Sequence, residues 1–168
     1  NLNINSSTGV LTFKQNPNYE NADSYQITAS VSDGTNVVSQ GVTININNLN
    51  EAPSFSSSAT FSAAENQTAI GSVSVNDPEG SSITYSLSGT DASSLAISSS
   101  GVLTFGSAPN FESKNSYSAT VSASDGTNTV NQAITISVTD VNEAPAFTSS
   151  TSYSVNENQS SAGQLTAS

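Results

Sequence analysis

Long stretches of this chain alternate apolar and polar residues with a period of two, which is what a half-buried β-strand requires. Tyr25, Ile27, Ala29 and Val31 fall on one face of a predicted strand, and Tyr117, Ala119, Val121 and Ala123 repeat the pattern further along. Val42, Ile44 and Ile46 alternate in the same way beyond Asp33-Gly34, a dipeptide suited to a tight turn, so the two runs predict a hairpin. Val73 and Val75 predict one strand, Ile83, Tyr85 and Leu87 the next, and Leu95 and Ile97 a short third. No helix is predicted. Many of the inward residues are Ala and Val, so each core is expected to be thin and each unit moderately stable.

The pattern repeats as a whole. From Gly9 to Gly71 the chain matches Gly101 to Gly163 at a constant offset of 92 residues, without a gap. Gly9-Val10-Leu11-Thr12-Phe13 returns as Gly101-Val102-Leu103-Thr104-Phe105, and Asp33-Gly34-Thr35-Asn36 as Asp125-Gly126-Thr127-Asn128. Asn50-Glu51-Ala52-Pro53 and Glu65-Asn66-Gln67 return as Asn142-Glu143-Ala144-Pro145 and Glu157-Asn158-Gln159. This period is too long for a solenoid unit and suits a self-contained sandwich of seven short strands. The fold class expected is all-β: tandem Greek-key sandwiches.

Boundaries fall where strand signal gives way to proline, at 48–53 and 140–145. The chain is therefore read as the C-terminal part of one module (1–50), a complete module (51–142) and the first strands of a third (143–168). Without an initiator methionine, a signal peptide or a twenty-residue apolar run, it reads as a piece of something longer that spans no bilayer. Two readings of the flanking pieces stand side by side: parts of a longer filament-like chain, or halves that complete a sandwich with neighbouring molecules by strand exchange.

Composition narrows the function. Thirteen acidic residues face two lysines, Lys14 and Lys114, giving a net charge of -11, and there is no histidine or cysteine. Two cations cannot displace the counterions of a phosphate backbone, which argues against nucleic acid as a partner and equally against anionic membrane surfaces. Absence of histidine and cysteine removes the usual general base, the thiolate nucleophile and the zinc ligand set, so an enzyme is not expected. A Ser113-Lys114 dyad is discounted, because adjacent side chains on an extended segment point apart.

Eleven of the thirteen acids fall at a few kinds of position, and the strands are left nearly uncharged. They occupy the linkers (Glu51, Asp140, Glu143), the ends of first strands (Glu65, Glu157) and the Asn-aromatic-Glu segments (Glu20, Glu112). The rest sit in the Asp-Gly turns (Asp33, Asp125) and in the run Asp77-Pro78-Glu79; only Asp23 and Asp91 stand apart. In an end-to-end sandwich these places lie at the poles, where one module meets the next. Clustered carboxylates repel by about 1 kcal/mol per pair at 4 Å in water, and more at a protein surface. Calcium, which takes six to eight oxygen ligands in flexible geometry, is the natural counterion.

These residues resemble the cadherin repeat family, especially its bacterial and dystroglycan-like branches, and the resemblance spans nearly the whole chain. Glu65 and Glu157 match that family's Glu after the first strand, and Asp77-Pro78-Glu79 matches its Asp-x-Asp segment with Glu for the last Asp. Asn18-Tyr19-Glu20 and Asn110-Phe111-Glu112 match Asp-x-Glu with Asn for Asp, Asp33 and Asp125 match the Asp-Gly-like turn, and Asp140-Val141-Asn142-Glu143 matches most of the linker. Both linkers are one residue shorter than the metazoan pattern, and Asn48 stands where the second linker has Asp140.

The resemblance implies calcium between consecutive modules, at one or two ions per junction rather than the family's three. For the first junction it implies Asn18, Glu20, Asn48, Asn50 (through its carbonyl), Glu51, Asp77, Glu79 and Asp125. For the second it implies Glu65, Asn110, Glu112, Asp140, Asn142 and Glu143. A calcium-stiffened adhesive or structural stalk on the outside of a cell is the function expected. Its partners would be the neighbouring repeats of the same chain and, in homotypic self-association, other copies. The rival reading is a carbohydrate-binding module that takes a surface glycan; most aromatics sit at core positions of the alternation, with Tyr19 and Phe111 the less certain ones.

Overall fold

The structure, a computed structural model, describes residues 2–168. Its strands are β1 (Leu2–Ile4), β2 (Leu11–Phe13), β3 (Ser24–Ser32), β4 (Val37–Asn45), β5 (Ser54–Phe55), β6 (Thr60–Ala64) and β7 (Ala69–Ser72). They continue as β8 (Val75–Asn76), β9 (Thr84–Ser88), β10 (Leu95–Ile97), β11 (Val102–Phe105), β12 (Ser116–Ser124) and β13 (Thr129–Thr139). The one departure from an all-strand chain among the described residues is a turn of 3-10 helix at Ala92–Ser94, which the alternation did not predict. No helix among the described residues is long and apolar enough to cross a membrane.

Strands β5 to β13 form a β-sandwich. One sheet has the order β6-β13-β12-β9, and the facing one β10-β11-β7, with β5 paired to β8. The first strand is broken in two: β5 runs antiparallel to β8, and β6 then crosses to the other sheet to run parallel to β13, Thr60 opposite Thr135 and Ala64 opposite Thr139. The second strand is broken as well, which corrects the expectation of one strand through Val73 and Val75. At the break the Val73 amide donates to the Gly101 carbonyl at 2.8 Å, and Val73 itself is buried. Counting β5-β6 and β7-β8 as one strand each gives seven.

The alternation of β12 and β13 now has its physical meaning. Ala119, Val121, Ala123, Ile134, Ile136 and Val138 point inward and are buried, and Leu103 and Phe105 of β11 meet them from the other sheet. Asp33 and Asp125 each close their hairpin as expected, one carboxylate oxygen accepting the amides two and three residues ahead at 2.6 to 2.8 Å. The Asn36 and Thr35 amides hold the Asp33 carboxyl down at about 2, and the Asn50 side chain, ahead of the Asn128 amide, holds that of Asp125 at about 2.

The 92-residue repeat is also a structural repeat. β1-β2 and β3-β4 pair like β10-β11 and β12-β13, and Phe13 meets Tyr25 edge-on at 5.2 Å as Phe105 meets Tyr117 at 5.0 Å. The bridge Phe147–Ala167 reproduces the pair Phe55–Val75. Asp91, set apart in the sequence, is buried against the sandwich: it pairs with Lys114 and accepts the Ser118 amide at 2.9 Å, which keeps its carboxyl low. Lys114 also lies over the Tyr117 ring, 4.7 Å from its centre.

Candidate metal centres at the linkers

Among the described residues two carboxylate clusters form, one at each linker. In the first, one oxygen from each of Glu20, Glu51 and Glu79 lies within 4.8 Å of the others. Glu20 comes from the loop before β3, Glu51 from the linker and Glu79 from the turn after β8, so three separate chain segments converge. Asn18 donates to Glu20 Oε2 at 2.9 Å, and the Glu51 amide donates to Glu79 Oε2 at 3.3 Å. A hydrogen bond shared with Glu79, then loss of solvent, then the charges of Glu20, Glu79 and Asp77 push the Glu51 carboxyl up to about 7.

Two oxygens at this junction, Asp77 Oδ2 and Glu79 Oε1, are buried without a hydrogen-bond partner. A buried acceptor without a donor is costly, and a bound cation is one partner that satisfies such an oxygen. The donor set therefore fits calcium, whose oxygen ligands stand about 2.3–2.6 Å from the ion and hence no more than about 5 Å from one another. Asp77 Oδ1 accepts the Ser81 amide at 2.9 Å. Asp125 Oδ2 accepts the Asn50 side-chain amide at 2.9 Å, so the Asn50 side chain binds the turn of the following sandwich. Asn48 lies exposed in the linker.

The second cluster brings together Glu65, Glu112, Asp140 and Glu143, again within 4.8 Å. Glu65 is its fixed member, only 2% exposed although it is an acid. Its Oε2 accepts the Phe111 amide and its Oε1 the Val141 amide, both at 2.8 Å, and these bonds hold its carboxyl below the usual range. Asn110 caps the turn that carries Glu112 by accepting the Ser113 amide at 2.7 Å. The Asn142 side chain turns back to the Glu143 carbonyl at 3.4 Å.

Asn66 was missed in the sequence reading. Its side chain donates to Glu143 Oε1 at 2.7 Å, from a backbone with φ of 63° that asparagine tolerates better than most residues. Its recurrence as Asn158, with φ of 66°, is the signal that could have found it. Of the two aromatics considered for sugar binding, Phe111 packs against the core, whereas Tyr19 is exposed.

A seven-stranded sandwich whose first strand crosses between sheets, with acids gathered at both linkers, defines a tandem Ig-like or cadherin-like repeat. The chain belongs to the family described as Bacterial Ig domain, whose model matches residues 50–139. Its fold is similar to human CDH23 EC21-23, with a TM-score of 0.72 and 21% identity over 99% of this chain and 60% of that one. It is also similar to mouse Cadherin-23 EC22-24 (TM-score 0.65, 24% identity, 83% of this chain and 50% of that one). Protocadherin GammaB4 gives a TM-score of 0.62 at 28% identity, over 90% of this chain and 28% of that one. The chain spans half the length of the first two structures it matches. No curated protein matches it.

Proposed function

We propose that this chain is part of an extracellular adhesive or structural array whose modules, 1–50, 51–142 and 143–168, are stiffened at their linkers by calcium. The observation that carries this reading is the pair of buried, partnerless oxygens of Asp77 and Glu79 beside Glu51, whose carboxyl is pushed to about 7. Such a cluster is under electrostatic stress without a cation and relieved with one. Each cluster draws acids from the linker and from loops of a sandwich, so an ion there restrains the linker and limits bending. Without the ion, repulsion among Glu20, Glu51 and Glu79 loosens it.

Affinities of extracellular calcium modules are on the order of 0.1 to 1 mM, and saturation at 100 times the dissociation constant stabilises the bound form by about 2.7 kcal/mol per site. Calorimetry of the chain in 10 mM calcium and in chelator tests this. The expected result is a rise in melting temperature with calcium that Glu51→Gln with Glu79→Gln reduces, and that the further changes Glu112→Gln and Glu143→Gln remove. An unchanged melting curve and no heat of calcium binding would mean that the acids only solvate the loop ends.

A further inference from the structure

One groove is built twice in this chain, at the offset of the repeat. The first, of about 410 Å³, is walled by the edge-to-face pair Phe13 and Tyr25 and carries Lys14, Gln15, Asn16 and Asn21. The second, of about 440 Å³, has Phe105 and Tyr117 in the same places, with Ser107 and Ser113 where the first has Gln15 and Asn21. Backbone turns set both linings: Asn18 accepts the Asn21 amide at 2.9 Å and Asn110 the Ser113 amide at 2.7 Å. No residue of another module lines either groove. The first stays open although the whole middle sandwich follows it, and the second stays open although strands β5 to β10 of its own sandwich are in place.

The two linings share a chemistry that sets them apart on so acidic a chain. None of its thirteen acids lines either groove, and both of its lysines lie there, from positions that do not correspond in the repeat. Lys14 lines the first, and Lys114 lies over the Tyr117 ring beside the second. An aromatic wall beside clustered amides and hydroxyls matches a pyranose ring, which offers apolar C–H groups and a rim of hydroxyls that both donate and accept. Lys114 is neutralised by Asp91 and the chain carries a net charge of -11, so a polyanion is repelled where an uncharged sugar is not. We infer that each groove takes sugar units of a neutral polysaccharide, one groove to a module. A polymer of like units suits a site repeated along an array, because two weak sites linked in one chain hold a strand more tightly than either alone. No linker carboxylate lines a groove, so this binding stands apart from the calcium reading.

Affinity electrophoresis of the whole chain through gels containing mannan, galactan, xylan or dextran, in calcium and again in chelator, tests this. At least one of these neutral polymers is expected to retard the chain in both solutions, and polygalacturonate in chelator is expected not to. Lys14→Ala with Gln15→Ala disables the first groove, and Ser107→Glu with Ser113→Glu the second, all at exposed positions. Either pair should weaken the retardation by about tenfold, through loss of one of two linked sites, and all the changes together should abolish it. Melting curves identify variants that keep the fold. On the unaltered chain, NMR with oligosaccharides of the retarding polymer should shift the ring signals of Tyr25 and Tyr117 and leave those of Tyr153 in place. Retardation by none of the neutral polymers, retardation by polygalacturonate alone, or shifts that spare Tyr25 and Tyr117 would overturn the inference, as would unchanged retardation of a folded variant carrying all the substitutions.

Discussion

The Glu65 carboxylate accepts the amide of Val141 at 2.8 Å, although 76 residues separate the two. A side chain at the end of the first strand thereby holds the point where the last strand becomes the linker. Its second oxygen holds the Phe111 amide, beside Glu112. Glu65 thus organises the second cluster before any ion arrives, because three chain segments are tied to one buried carboxylate.

Glu65→Gln keeps the shape but replaces one charged acceptor oxygen with an amide donor that faces a backbone N–H. The melting temperature of the middle sandwich is expected to fall by roughly 5 to 10 °C, with calcium binding at the second linker weakened. Glu157→Gln, at the exposed counterpart position, is expected to leave the melting curve unchanged. Differential scanning calorimetry of both variants checks the contrast.

Leu103→Ala removes a side chain with no exposure from the centre of the core and is expected to cost about 3 to 4 kcal/mol. Leu11→Ala makes the same change at the half-exposed counterpart and should cost under about 1.5 kcal/mol, since less apolar surface is lost from burial. Urea unfolding of the two variants measures the difference.

Gly101 has φ of 81°, and a Cβ there would stand 2.3 Å from the Val73 carbonyl oxygen. Gly9 shares the left-handed backbone, at 72°, but a Cβ there would meet nothing within 4 Å. Gly101→Ala is therefore expected to destabilise the middle sandwich by more than about 2 kcal/mol, and Gly9→Ala to cost about 1 kcal/mol for backbone strain alone. Chemical denaturation again separates them.

Acid and base act on different parts of the molecule. The carboxyls of Asp33, Asp91, Asp125 and Glu65 are held low in the folded state, so they stabilise it above the unfolded carboxylate range, and that contribution is lost as pH falls through their lowered folded values, about 2 for Asp33 and Asp125. Glu51 has the opposite sign: raised to about 7, its contribution is present below its ordinary value and lost as pH rises through 7. In chelator the first linker should loosen between pH 5 and pH 8, and calcium should bind more tightly at the upper end, where Glu51 is ionised. Calcium titrations at several pH values, with the Glu51 carboxyl followed by NMR, would show both; a calcium affinity independent of pH would contradict the second.

Much of the fold was legible in the sequence, because a strand's inward face is written locally. Residues two apart share a face, so Tyr117, Ala119 and Val121 declared the inner side of β12 without reference to its partners. Turns were legible for the same reason: Asp125 binds amides only two and three residues ahead. Most of the candidate site was legible as a set of acids that recur at offset 92 beside prolines and turns. Asn66 was not, because its bond to Glu143 joins residues 77 apart, and the break at Val73 was not, because it depends on Gly101 in a neighbouring strand.

The sequence by itself determined the strand faces, the hairpins, the repeat and the grouping of acids at the linkers, all of which rest on short-range stereochemistry or on self-comparison. Only the tertiary structure decided what those residues experience. Leu103 is sealed by Val121, Ile134 and Ile136, and Glu65 by the amides of Phe111 and Val141, partners that lie far along the chain. Burial, and with it the strength of a hydrogen bond or the position of a carboxyl's titration, is set by atoms that arrive from distant parts of the chain.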